Sequence, residues 1–374
     1  MPELSIEQVR RLRMRAQRLV PDPSSPSAVA SLVHDLGGIQ SQDLPAATLA
    51  VRPRTHGLTA ADVRQAREDA HTIALTWWVR GTLHLVTAQD VARLLPLLGP
   101  RFIRASQRRY KQLDLTPGAL ARGTGLLLDA LHARGPLTRA EAAALLKPEG
   151  IPVEGQAIVH LTAWAAMNGR LCFGPLRDGK PTYAALDGWI APETPLDPDA
   201  ALDELAGRYI RVYGPATAED FASWSGLSMS QARAAFERLE PSLVEVMVGD
   251  ERLWMPERFA AWLDAPQQKP VVRLLPAYEN YLLGYRRRDW ALPDAGKRQV
   301  HPGGGVIRAC VIVDGLAVGT WRIERKKTAA VIVTPFAALD DGARVGLEAE
   351  AQDVGRFLDL PAPVGLRVEP LPGA

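Results

Sequence analysis

The sequence is short of cysteine, of long apolar runs and of every familiar catalytic signature. Only Cys172 and Cys310 occur in 374 residues. They match no metal-ligand or disulfide spacing, which points to a reducing cytoplasm. No apolar run approaches the roughly 18 residues of a transmembrane helix. The opening MPELSIEQVRRLRMRAQRLV alternates charged and apolar residues and lacks the apolar stretch of an export signal. No membrane partner is expected. The run HPGGG lacks the downstream Gly-Lys-Ser/Thr of a phosphate loop, and no G-x-G-x-x-G follows a strand. HExxH, CxxC and GxSxG are also missing. The seven histidines are scattered. No metal and no organic cofactor is therefore expected, nor a hydrolase with a conventional triad.

Lysine is scarce too, at 7 against 37 arginines. Arginine suits forked contacts to phosphate, although a high-GC genome gives the same bias. The net charge is only +2, but it is unevenly spread. Residues 1–112 carry +7, residues 113–270 carry −7, and residues 271–374 carry +2. A basic segment ahead of an acidic one suits a one-sided polyanion-binding surface, and chance variation over a long chain gives the same profile. Apolar residues make up 47% and charged residues 23%, the balance of an ordinary globular protein of two or more domains.

A repeated unit is present. ARGPLTRAEAAALL (133–146) aligns with VYGPATAEDFASWS (212–225). In both, Gly-Pro ends an apolar helix. A threonine N-cap follows, with a carboxylate three residues on: Thr138 with Glu141, and Thr217 with Asp220. A second helix and two strand-like runs complete each copy. That order is the order of a winged helix. A more divergent copy starts at Ser5, where Gln8 completes a capping box. It continues through a helix over Ser27–Leu36, the turn QSQ, a helix over PAATLAV, and HTIALTWWVRGTLHLV, a hairpin turning at Arg80-Gly81. The predicted divisions are 1–112, 113–190, 197–265 and 271–374. Pro-rich APETPLDPDA (191–200) and APQQKP (265–270) serve as linkers. From Val271 the periodicity shifts to two, predicting a β-rich region with one late helix over DGARVGLEAEAQDVGRFLDL. The fold class is α+β, with three tandem winged-helix units ahead of the β-rich region.

The chemistry candidates are few. In GGIQSQD, Gln40 and Gln42 lie two apart, so an extended segment or turn lets their carbonyls converge on one water. The same residues also make a polar turn, with Asp43 either supporting the two amides or only capping the next helix. Trp77 and Trp78 lie on the first hairpin, where alternation puts one ring in the core and the other outward. Arg80 and His84 flank its turn as supporting candidates. RFIRASQRRYK reads as one helix with Arg101, Arg104, Arg108 and Lys111 in a stripe. That stripe tracks phosphates or is a solvated face. His301, Gly303, Gly304 and Gly305 lie between two strand-like runs. Consecutive glycines there permit close approach to a partner surface.

Taken together, GGIQSQD, WVRGTLHLV, LLPAYENYLLGYRRRD and HPGGGVIRACVIVDGLAVGTWR resemble the AlkZ/YcaQ family of bacterial DNA glycosylases over nearly the whole chain. The resemblance implies three tandem winged helices and a β-barrel-like C-terminal domain, forming a concave DNA-binding face. It implies excision of guanine alkylated on nitrogen 7, including bulky adducts and interstrand crosslinks. The family's catalytic motif is Gln-x-Gln or Gln-x-Asp, and Gln40 and Gln42 match the first. That branch includes self-resistance to the DNA-crosslinking antibiotic azinomycin B. The expected partner is double-stranded DNA carrying an alkylated guanine, met by a cytoplasmic monomer. Two other readings stay open. A winged-helix transcription regulator would read an operator and survive loss of QSQ, and a protein-binding scaffold would ignore DNA.

Overall fold

The computed structural model describes residues 2–21, 28–191, 193–263, 270–326, 328–361 and 363–371. The chain is a mixed α+β protein whose Cα atoms gather into two compact units. One comprises Met1–Val63 with Ala206–Ala374, and the other Arg64–Leu205. These cuts fall elsewhere than the repeat divisions, because compactness follows packing and repeats follow sequence order.

In the first unit, the capping box of Ser5 and Gln8 starts the helix Ile6–Ala16. Val9 and Leu12 of this helix pack with Val246, Leu253, Met255 and Phe259. Met14 enters a second cluster with Leu275, Tyr281, Cys310 and Ile312. One helix thus packs against members of two core clusters that lie more than two hundred residues after it in sequence. The helix Ala218–Ser225 is opened by Thr217 and Asp220 as read from the sequence, and Met229–Leu239 follows. The antiparallel pair Leu243–Val248 and Glu251–Pro256 comes next. The Ser27–Leu36 prediction is met over Val29–Asp35, while Ser27 lies outside the described residues. The 265–270 linker is outside them too, apart from Pro270.

The β-rich region is a five-stranded sheet in the order Gly365–Val368, Ala329–Pro335, Leu316–Arg325, Cys310–Val313, Val272–Leu275. The first two of these strands are parallel and the others antiparallel. Among the described residues the sheet does not close, which corrects the barrel expectation. Parallel pairing requires a crossover, and the helix Asp341–Phe357 supplies it. That helix packs against the edge strand Val272–Leu275, and the Val272–Leu275 and Gly365–Val368 strands are the two edges of the sheet.

In the second unit, strands run in the order Leu83–Thr87, Ile73–Trp77, Leu171–Phe173, Thr182–Ala185, Leu137–Thr138. The hairpin turns at Arg80 and Gly81, both with positive φ. Thr138 and Glu141 form their capping box. Trp77 and Trp78 are both buried, at 8% and 1% exposure, so the inward-outward alternation fails. The strand ends at Trp77, and Trp78 has φ −140 and ψ −141, outside the pleat that sets alternation. The basic helix is two helices, Ala88–Ala105 and Gln107–Gln112. At Ser106 the N–H is shared between the carbonyls of Phe102 and Ile103, and this tightening divides the stripe. Among the described residues, no helix is long and apolar enough to cross a membrane.

Candidate active site

The Gln-Ser-Gln turn belongs to the first unit. Gly37 and Gly38 enter it with φ of +68 and +109, a region that L side chains rarely adopt. A Cβ on Gly37 would also lie 3.3 Å from the Trp224 ring. Trp224 is one of a packed aromatic group with Tyr209, Tyr213 and Phe221. The Gly-Gly break is therefore a close approach of backbone to a rigid floor.

Asn280 holds the turn from the other side. Its Oδ1 accepts from the Gln40 N–H at 3.3 Å, and its Nδ2 donates to the Gly38 carbonyl at 2.8 Å. The same Nδ2 donates to the Tyr213 hydroxyl at 3.0 Å, and Tyr213 donates to the Leu36 carbonyl at 3.3 Å. One buried amide thus reads both edges of the backbone on either side of Ile39. Asn280 opens a short helix, Asn280–Leu283. The chain reaches it through Tyr278 at φ 57, uncommon for a bulky residue and a position held by its surroundings.

Glu279, next to Asn280, is buried and pairs with Arg54 at 2.5 Å. Arg54 also donates to the carbonyls of Gln17 at 3.0 Å and Ala50 at 2.7 Å. Arg54 follows the helix Leu44–Leu49, which begins directly after the turn. The turn is braced on both sides by buried, hydrogen-bonded polar groups, the arrangement that makes an interior charge tolerable. Behind this, Arg52 contacts Glu350 at 2.7 Å and Asp353 at 2.9 Å. Burial opposes its charge, yet the two carboxylates outweigh burial and hold the guanidinium above its ordinary pKa.

The predicted residues sort as follows. Gln40 is buried at 7% exposure, and Gln42 is exposed. The Ser41 hydroxyl donates to the Ile39 carbonyl at 2.8 Å, tightening the turn. Asp43 is exposed and caps the next helix by accepting the Ala46 N–H at 3.1 Å. His84 and Arg80 belong to the other unit. The His84 ring is 3% exposed, and its Nδ1 donates to the Thr82 carbonyl at 3.0 Å. Burial, with Arg80 nearby, pushes its pKa down to about 3. It is therefore neutral at physiological pH.

Arg101 is half-buried, and Arg104, Arg108 and Lys111 are exposed in the second unit. The HPGGG run does not lie between two strands. It follows the helix Asp294–Val300 and precedes Cys310–Val313, because residues 294–300 carry a helical rather than an alternating pattern. Gly303, Gly304 and Gly305 all have positive φ, and nothing lies within 4 Å of where their Cβ atoms would be. His301 closes the loop through Nδ1 to the Val306 carbonyl at 2.8 Å. Asn280, Tyr213, Glu279 and Arg54 went unread as site residues in the sequence. The available signal was a polar Glu-Asn pair inside the apolar run LLPAYENYLLGY. Among the described residues, no group of three or more His, Cys, Asp or Glu could hold a metal.

The family model described as DNA glycosylase AlkZ-like matches residues 33–357. A Streptomyces sahachiroi protein named interstrand DNA cross-link repair glycosylase is 29% identical over 364 residues, covering 91% of this chain and 94% of that protein. The solved structure of Streptomyces sahachiroi DNA glycosylase AlkZ matches with a TM-score of 0.83 at 27% identity. It covers 98% of this chain and 100% of that chain.

Proposed function

Since the chain belongs to the AlkZ-like DNA glycosylase family, we propose that it hydrolyses the N-glycosidic bond of guanine alkylated on nitrogen 7, in monoadducts and interstrand crosslinks. The observation that carries the reading is the Gln40–Gln42 turn, held by Asn280 with Gln40 buried and Gln42 exposed. The name of the Streptomyces sahachiroi relative supports crosslinks as substrates.

Alkylation of nitrogen 7 puts a positive charge on the base. The base then leaves without protonation, and the sugar left behind is oxocarbenium-like. A weak nucleophile suffices to capture it. A positioned general base is typically worth about 10²–10⁴-fold, and an activated leaving group makes much of that dispensable. Two amide carbonyls orient a water and turn their negative dipole ends toward the developing cation. In this reading Gln40 and Gln42 position the water, and Asp43 fixes the helix that follows. Ordinary guanine, uncharged, is a poorer leaving group and escapes.

The repeats over 1–112, 113–190 and 197–265 act as winged helices on duplex DNA. Arg101, Arg104, Arg108 and Lys111 track phosphates. The 301–305 loop probes the groove near the adduct. Binding is then mainly to the backbone, with steep salt dependence and modest sequence preference. The protein works as a cytoplasmic monomer.

The test is excision from a duplex carrying one 7-methyldeoxyguanosine, scored as alkali-labile abasic sites. Wild type cleaves, and Gln40→Ala/Gln42→Ala loses on the order of 10²-fold or more. A double variant that excises like wild type refutes the assignment. If neither protein cleaves the monoadduct, the same pair is run on a crosslinked duplex. Silence there too, with retained DNA binding, identifies a DNA reader instead.

A further inference from the structure

The first unit holds a second constellation that the excision chemistry leaves unused. A cavity of about 700 Å³ is walled by the end of the helix Ile6–Ala16, the helix Val29–Asp35, the helix ending at Tyr213, and the turn Glu257–Phe259. Five arginines line it: Arg15, Arg18, Arg208, Arg211 and Arg258. Among the described residues Asp35 is the carboxylate that lines it, and Arg18 holds it at 2.6 Å. Arg258 donates to the Arg211 carbonyl at 3.3 Å. Burial, together with Arg211 and Arg18, lowers the Arg258 pKa, so the cations here press on one another. Gathering like charges around a shared space is unfavourable unless an anion occupies it.

Two features set this cavity apart from a solvated basic face. Arg208 is only 3% exposed, and its Cδ lies 3.6 Å from where a Cβ on Gly37 would stand. Its stem therefore packs under the entry to the Gln40–Gln42 turn. Arg15 lies 4.9 Å from the centre of the Trp262 ring, which also lines the cavity. Guanidinium forks with an aromatic wall match a phosphate-sugar chain better than a bare ion. The space is also far larger than one phosphate requires, which favours successive phosphates over a single free one.

We propose that this arginine-lined cavity binds phosphates of the DNA backbone, with Arg208 joining that contact to the glycine pair ahead of the Gln-Ser-Gln turn. The proposal rests on the reading of DNA as substrate. It adds a phosphate site separate from the Arg101–Lys111 segment and the 301–305 loop.

The experiment uses the full chain and a short unmodified duplex, so that binding is read without excision. Affinity is measured by fluorescence anisotropy across a salt series for wild type and Arg211→Ala/Arg258→Ala, both exposed side chains. Arg322→Ala/Arg367→Ala, exposed and paired to Glu369 and Glu324, is the charge-matched control. The cavity variant is expected to lose about 0.9 in the slope of log K against log salt for each phosphate contact removed. The control keeps the wild-type slope. Equal slopes in all three proteins, or an equal fall in the control, overturn the proposal. Tripolyphosphate serves as the free-phosphate probe. If it raises the melting temperature of wild type but not of the cavity variant, while DNA slopes stay equal, the cavity takes free oligophosphates and the backbone assignment fails. Should the double variant unfold, Arg211→Ala alone gives the same comparison with a smaller change. A shallower slope without excision by wild type upholds the cavity and sinks the glycosylase substrate. Excision with unchanged slopes does the reverse.

Discussion

Replacing Asn280 by alanine removes both bonds that clamp the backbone around Ile39, and the bond to Tyr213. Each such bond contributes about 0.5–1.5 kcal/mol net, and a buried group left unsatisfied costs about 1–3 kcal/mol. The Gln40 N–H and the Gly38 carbonyl sit in a buried segment, so water replaces the lost partner poorly. A stability loss of about 2–5 kcal/mol is expected. The catalytic loss is separate. If the freed turn shifts Gln40 by roughly 1 Å, excision falls on the order of 10²-fold. Stability is measured by urea unfolding. Single-turnover excision is then measured with excess enzyme at a temperature where every variant is folded. Tyr213→Phe keeps the Gly38 and Gln40 contacts and should lose much less activity. Asn280→Asp keeps the acceptor for Gln40 but loses the donor for Gly38, and should fall between the two. Wild-type excision by folded Asn280→Ala would refute the view that this amide positions the turn.

Two further outcomes are expected. His84 has its pKa depressed from 6.5 to about 3, so the folded protein holds it neutral while the unfolded chain protonates below about pH 6.5. Its contribution is fully present above pH 6.5 and falls by up to about 1.4 kcal/mol per unit as pH drops toward 3. His84→Asn keeps a donor for the Thr82 carbonyl and cannot titrate. Wild-type stability relative to the variant, read from urea midpoints at several pH values, should fall as pH drops below about 6.5, and parallel curves would contradict the assignment. In the 301–305 loop, Gly303→Val/Gly304→Val meets open space but a strained φ at both positions. The strained backbone should cost about 1–3 kcal/mol at each position, and affinity for adduct-bearing duplex, measured where both proteins are folded, should weaken. Unchanged affinity and excision would remove the loop from the DNA contact.

What was legible in the sequence was local. The capping boxes at Ser5, Thr138 and Thr217 use residues three apart, so spacing alone exposes them. The hairpin turn at Arg80-Gly81 and the late helix Asp341–Phe357 were readable for the same reason. The misreadings concern context. Trp78 leaves its strand, Ser106 divides a periodic helix, and the C-terminal sheet ends in two separate edge strands, none of which a periodicity count contains. The clamp on the turn was the least visible. Gln40 and Asn280 are 240 residues apart, and no pattern of spacing couples them. Gln40 and Gln42 stand out in the sequence because two amides beside a Gly-Gly break are chemically odd. What makes that turn a defined geometry lies elsewhere in the chain.

The burial of Gln40 bears on why an amide stands there. At 7% exposure, a carboxylate would lose most of its hydration, a far larger cost than desolvating an amide. Its pKa would rise toward neutrality and its charge would depend on the medium. An amide keeps one protonation state throughout, so in the proposed reaction it offers orientation and dipoles rather than proton transfer. The driving force for bond cleavage then has to come from the substrate. On the proposed excision chemistry, only a base that already carries positive charge brings it, and the weakness of the amide pair would then act as a filter against the uncharged guanines of ordinary DNA.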